Sequence, residues 1–80
     1  MSIPGAELRV LRVLLSLSGW RSIPEIEAEG KGIHGTYTLL QRLQKRGMVE
    51  KRGSGREVQW SATGKGKRVE RLIQKIEEEG

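Results

Sequence analysis

Apolar and polar positions along this 80-residue chain fall into blocks of different period. From Ala6 to Ser18 the sequence AELRVLRVLLSLS contains no Gly or Pro. At 100° per residue its polar side is confined to Arg9, Arg12 and Ser16, which predicts a helix over 6–18. Its apolar surface is wider than the ~100° stripe that one packing partner requires, so it is expected to be covered from two sides. Gly19 ends it. Ser22 followed by Glu25 has capping-box spacing, and Pro24 falls in a first turn, where its missing N–H is no loss. Ile23 and Ile26 share a face, and Gly30 suits the position just past a last turn. A short helix is predicted over 23–29.

A third helix is predicted over 34–46. Tyr37, Leu40 and Leu43, with Ile33 just ahead, form its expected buried stripe. His34, Thr38, Gln41, Arg42 and Lys45 lie opposite, with Gly35 and Arg46 beside them. MVEKR (48–52) and EVQWSA (57–62) are short and partly alternating, and GSGR joins them, so they read as a β-hairpin with a Gly-rich, basic tip. Val58 and Trp60 share a face of it. Thr63 is placed to cap a last helix reaching about Glu78, with Val69, Leu72, Ile73 and Ile76 as a narrow apolar seam. Glu77, Glu78 and Glu79 oppose the helix dipole at its C-terminus, so that end is expected to fray.

Composition narrows the chemistry. Eighty residues make one domain, 1–80. With no Cys and a single His there is no disulfide and no internal zinc finger, and no metal or cofactor site is implied. An enzyme is not expected: there is also no Asp, and the Glu residues cluster at capping positions and at the C-terminal end. GKGKR (64–68) lacks the spacing of a phosphate loop. Nothing resembles a signal peptide, and the apolar-rich run Leu8–Leu17 is broken by Arg9 and Arg12, well short of the ~20 residues of a membrane span. A cytoplasmic protein without membrane contact is the expectation. A chain this short buries only roughly 60% of its unfolded surface, so a second copy is the expected supplement.

The net charge is +5, and its placement matters more than its total. Ten basic and two acidic side chains lie between residues 31 and 68. Acidic side chains outnumber basic ones four to three before that segment and four to two after it. A polyanion would meet the middle of the chain.

Helix, short helix, turn, helix, basic hairpin, helix is the order of a winged helix-turn-helix domain. That is an α+β fold, mainly α, with a three-helix core, a two-stranded β-hairpin wing and a C-terminal helix. GTYTLLQRLQKRGMVEKR resembles the recognition helix and first wing strand of the MarR and PadR regulator families. The run Arg42, Leu43, Gln44, Lys45, Arg46, Gly47, Met48, Val49 is similar to their R-L-x-x-x-G-[LM]-[VI] pattern. WSATGKGKRVERL resembles their second wing strand and following helix, with Ala62 where those families carry Leu. The resemblance implies a minimal DNA-binding transcriptional regulator. Those families are longer, so no small-molecule effector is expected here.

In a helix-turn-helix the N-terminal end of the second helix enters the major groove, where free N–H groups and the helix dipole favour phosphate. Gly32, Gly35 and Thr36 would keep that end slim. Thr38 and Arg42, then His34 and Gln41, are the expected base contacts: Arg pairs with guanine, Gln with adenine, and Thr meets a thymine methyl. Lys31, Lys45 and Arg46 are expected at phosphates. Lys51, Arg52, Ser54 and Arg56 would carry the wing to an adjacent minor groove or backbone. A homodimer is expected through the first and last helices, using Leu8, Leu11, Leu15, Val69, Leu72, Ile73 and Ile76, with two recognition helices ~34 Å apart on a palindromic site. The alternative is a winged-helix module that binds protein without reading DNA, for which Leu39 is the only apolar anchor on the exposed face of the 34–46 helix. Duplex RNA is a further alternative, disfavoured by its narrow major groove.

Overall fold

The computed structural model describes residues 3–27 and 32–79. Helix α1 spans Gly5–Leu17, α2 Ile23–Ile26 and α3 Gly32–Lys45. Strands β1 (Val49–Arg52) and β2 (Gln59–Ala62) follow, separated by a 3-10 turn over Gly55–Glu57, and α4 (Gly64–Glu79) completes the chain. The fold is α+β and mainly helical, with one antiparallel hairpin. No described helix is long and apolar enough to cross a membrane.

The buried side chains form one cluster. Val10, Leu11 and Leu14 from α1, Ile26 from α2, and Leu39, Leu40 and Leu43 from α3 meet Met48, Val49, Trp60 and Val69. Trp60 is the largest of them and is fully buried. Tyr37 packs edge-on against it, with ring centroids 6.0 Å apart. The indole N–H has no hydrogen-bond partner among the described residues, so packing holds the ring. Thr36 is also fully buried. The inward face of α3 is therefore 36, 39, 40 and 43, an i, i+3, i+4, i+7 row, with Tyr37 on its flank. Two expectations change. Leu39 is buried, not exposed, and Ile33 is 55% exposed because the first turn of α3 extends past the cluster.

Local chemistry sets the boundaries. The Glu25 carboxylate accepts a hydrogen bond from the Ser22 backbone N–H (3.0 Å), as the capping-box spacing predicts, and a second from the Ser22 hydroxyl (2.9 Å). At the end of α3, Gly47 N–H donates to the Gln44 carbonyl (2.9 Å) and Met48 N–H to the Leu43 carbonyl (3.0 Å). Gly47 has φ +77°. This is a Schellman motif, and Met48 and Leu43 supply its apolar contact inside the core. The Arg-Leu-x-x-x-Gly-Met-Val stretch thus encodes a helix stop followed directly by a strand.

The hairpin pairs Val49 with Ala62 and Arg52 with Gln59. One more residue joins it: Arg21 bridges to Trp60, with N–H···O distances of 2.8 and 2.7 Å in the two directions. The Arg21 side chain also donates to the Leu17 (2.8 Å) and Ser18 (2.9 Å) carbonyls, satisfying acceptors that the end of α1 leaves open. One side chain thus closes α1 while its backbone extends the sheet.

Helix α4 begins on that sheet. The Thr63 hydroxyl accepts from Gly66 N–H (3.1 Å) and donates to the Gly47 carbonyl (2.6 Å), while Thr63 N–H donates to the Met48 carbonyl (3.0 Å). Gly66 is buried where α4 crosses the start of β1. A Cβ there would overlap the Met48 carbonyl oxygen and press on Leu11 Cδ1 at 3.2 Å. Further along, Arg12 pairs with Glu70 (3.3 Å) and Glu77 (2.6 Å), clamping α4 along α1. The helix continues through Glu79, past the end expected to fray, with Glu77 neutralised by Arg12.

Gly66→Ala is expected to destabilise the fold by about 2 kcal/mol, because backbone must move to admit the methyl group. Gly64→Ala, whose added Cβ meets only the Arg68 guanidinium at 3.5 Å, should be neutral or stabilising by a few tenths of a kcal/mol. Urea unfolding of both variants measures the contrast. A second expectation concerns acid. Hydrogen bonds from the Ser22 backbone and hydroxyl, then the Arg21 guanidinium, hold the Glu25 carboxyl below its ordinary value of 4.5. Its contribution is therefore fully present above pH 4.5 and is lost as pH falls through the lowered folded-state value. The difference in urea midpoint between the wild type and Glu25→Gln should be largest near neutrality and close on acidification below pH 4.5.

Candidate nucleic-acid interface

The outward side of α3 follows from its inward one. With positions 36, 39, 40 and 43 buried, 34, 38, 41, 42 and 45 turn away from the core. His34, Gln41, Arg42, Gln44 and Lys45 are exposed and Thr38 is half-buried. Thr38, Gln41, Arg42, Gln44 and Lys45 line one shallow hollow. Two neutral side-chain amides and two cations stand in it, a set suited to hydrogen bonding base edges and phosphates. The Thr38 hydroxyl donates to the His34 carbonyl (3.2 Å). Gly35 is half-buried at the head of the helix.

The hairpin supplies a second cationic surface. Residues 50–57 are all exposed, Lys51, Arg52, Ser54 and Arg56 among them. The tip is shaped, since the Glu57 N–H donates to the Ser54 carbonyl (3.1 Å) to close the 3-10 turn. Arg52 is held in place. Its guanidinium lies 4.4 Å from the centre of the Trp20 ring, and its Nε donates to Gln59 Oε1 (3.0 Å) across the strand pair. Stacking on an aromatic face and a side-chain acceptor leave the remaining guanidinium N–H groups pre-oriented. Lys51 sits 5.7 Å from the Trp60 ring centre. Ser22, Arg52, Arg56 and Gln59 share a hollow beside the hairpin.

Several expected site residues take other places. Thr36 is fully buried, so its side chain faces the core and not a groove. Arg46 is committed: its Nε donates to Glu7 Oε1 at 2.9 Å, and Glu7 is only 2% exposed. That pair ties the end of α3 to α1, so Arg46 answers a buried carboxylate before it can answer a phosphate. Of the expected dimer residues, Leu11 and Val69 lie in the chain's own core, and Leu15 and Ile73 pack against it. Leu8 is half-buried, while Leu72 and Ile76 remain exposed. Lys31 and Gly30 lie outside the described residues. Gln44, Trp20 and Gln59 join the surface without having been singled out. Gln44 follows from helix geometry once the buried row is phased correctly, but the Trp20–Arg52 stack joins positions with no local pattern between them.

Arg46→Ala should cost stability, by roughly 2–4 kcal/mol, because it leaves Glu7 buried and unpaired. Lys45→Ala, one residue earlier and exposed, should leave the urea midpoint unchanged within about 0.5 kcal/mol. Equal midpoints for the two variants would remove the structural role assigned to Arg46. Compared with known proteins, the chain matches no family model, no curated protein and no solved structure.

Proposed function

We propose that the chain binds double-stranded DNA as a winged helix-turn-helix protein and serves as a small transcriptional regulator of the MarR- and PadR-like kind. The carrying observation is the shallow hollow lined by half-buried Thr38 and exposed Gln41, Arg42, Gln44 and Lys45 on α3, back to back with a buried row on the same helix. In this reading α1, α2 and α3 form the three-helix core, α3 enters the major groove, and the 49–62 hairpin is the wing. Arg42 and Gln41 read base edges, and Thr38, whose hydroxyl is engaged within the helix, turns its methyl group to a thymine. Lys45, Lys51 and Arg56 meet phosphates, and Arg52, braced by Trp20 and Gln59, reaches a narrow minor groove. The concentration of cations between residues 31 and 68 supports the same polarity of partner.

A protein-binding module is the competing reading. Its anticipated anchor, Leu39, is buried, and Ile33 is the one large apolar side chain of α3 that is exposed. A single apolar residue among polar neighbours is a weak anchor for a protein interface, whose binding energy concentrates in clustered, desolvated side chains.

Duplex affinity should fall steeply with salt. If each subunit neutralises about four to six phosphates, log K against log[salt] has a slope near −4 to −5 per subunit. On a duplex selected from a random pool, Arg56→Ala should weaken all sequences alike. Arg42→Ala should also relax preference at one base pair, by roughly 1–3 kcal/mol of discrimination. Titrations at several salt concentrations measure the slope, and a flat response, or an identical loss across sequences for both variants, would refute the reading.

A further inference from the structure

The tip of the hairpin carries a serine whose hydroxyl forms no hydrogen bond among the described residues. Ser54 is exposed and lies between Gly53 and Gly55, so no adjoining side chain shields it. Its backbone is extended (φ −149°, ψ 159°), and although it precedes the 3-10 turn its side chain caps nothing. Two other hydroxyl-bearing residues are exposed among the described residues, Ser16 and Ser18. The basic residues nearest to them in the chain, Arg12 and Arg21, are already bound to Glu70, Glu77 and Glu25.

Ser54, by contrast, stands among free cations. Lys51 and Arg52 lie three and two residues before it, and Arg56 two after it. None of the three has an ion-pair partner among the described residues. From Lys51 to Glu57 the tip has three basic side chains and one acidic, a net charge of +2. Arg52 and Arg56 line the same hollow as Gly53. The Trp20 stack and the Gln59 acceptor engage the ring face and Nε of Arg52 and leave its Nη groups to take another acceptor. A phosphoryl group on Ser54 would bring about −2 of charge and three strong acceptor oxygens into this cluster. That cancels the net charge of the tip and offers Arg52 and Arg56 an anion within their own chain. An exposed loop tip flanked by small residues is also where a modifying enzyme gains access.

We infer that Ser54 is a phosphorylation site for a serine/threonine protein kinase with an acidic substrate cleft, and that the modification releases the hairpin from DNA. The consequence rests on the DNA-binding reading; the site itself does not. In the transfer, Ser54 Oγ attacks the γ-phosphorus of a nucleoside triphosphate. The Oγ–P bond forms as the bond from that phosphorus to the β,γ-bridging oxygen breaks. The hydroxyl proton passes to the base of the kinase, and the products are phosphoserine and a nucleoside diphosphate. Lys51, Arg52 and Arg56 pair with carboxylates of the cleft and set the register of the segment in it. Once attached, the phosphate competes with the DNA backbone for Arg52 and Arg56 and repels the duplex phosphates. Residues 50–57 are exposed, clear of the core, so the modification changes the charge of the wing without unfolding the chain.

The test treats the intact chain with ATP, magnesium and a serine/threonine kinase that selects basic residues two and three positions before the serine, and maps the product by mass spectrometry. One phosphoryl group is expected, on Ser54, with Ser16 and Ser18 unmodified. Duplex affinity is then measured against salt concentration. Phosphorylation of the wild type should weaken binding roughly tenfold or more and make the slope of log K against log[salt] shallower by about two. A phosphatase should reverse both changes, and kinase treatment of Ser54→Ala should leave its affinity at the untreated value. The urea midpoint of the phosphorylated chain should match that of the unmodified one. A treated chain without phosphate on Ser54 overturns the inference. So does a phosphorylated chain that binds duplex as tightly as before, or one whose lost affinity accompanies a lowered urea midpoint. Absence of duplex binding by the unmodified chain would mark failure of the DNA-binding reading and of the consequence drawn from it, while the mass spectrum decides the site.

Discussion

The Thr63 hydroxyl is the fastening on which the layout of this small fold depends. It accepts a hydrogen bond from the Gly66 N–H in the first turn of α4 and donates one to the carbonyl of Gly47, where α3 has just ended. The Thr63 N–H holds the next carbonyl, that of Met48. Three elements therefore share one corner: the Schellman stop of α3, the start of β1 and the cap of α4. The corner works only because Gly66 has no side chain, so that α4 lies against the Met48 backbone. Since β1 starts one residue after Met48, the direction in which α3 stops also fixes the direction in which the hairpin leaves. The exposed row of α3 and the cationic hairpin are two ends of one rigid connection.

What the sequence revealed was local. The capping box at Ser22 and Glu25, the stop at Gly47, the cap at Thr63 and the two strands each depend on residues within about five positions. What it concealed was the answer of one segment to another. Nothing near Glu7 in the sequence marks it as a buried carboxylate; its partner, Arg46, is 39 residues later. Trp20, Arg21 and Ser22 are too few to show alternation, and Arg21 becomes part of the sheet only because Trp60 supplies its partner. The buried row of α3 was misphased for a related reason. Ile33 and Tyr37 outrank Thr36 in hydrophobicity, but Thr36 stands at the centre of the inward face and Ile33 beyond its edge.

The same distinction governs the charges. A count of basic residues treats them as equivalent, whereas their partners divide them. Arg12, Arg21 and Arg46 are committed within the chain, to Glu70 and Glu77, to Glu25 and the end of α1, and to Glu7 respectively. They act as fasteners, and the last belongs to a buried carboxylate whose desolvation makes the pair costly to break. Arg52 is intermediate, aimed by Trp20 and Gln59 without a counter-charge. Arg42, Lys45 and Arg56 have no ion-pair partner among the described residues, and it is these uncommitted cations, lying on α3 and the hairpin, that make a polyanion the natural complement.

A helix as long as α4 needs more than propensity to persist in water. Its first two turns have the Thr63 cap and the packing of Gly66 and Val69. Its later turns have, within one chain, the Arg12 clamp and the partial burial of Ile73. The outer side of those later turns is where Leu72 and Ile76 stand exposed, so they are the least supported part of the helix. The other end of α4 is fastened to the corner that aims α3 and the hairpin, so support along this helix falls off with distance from Thr63.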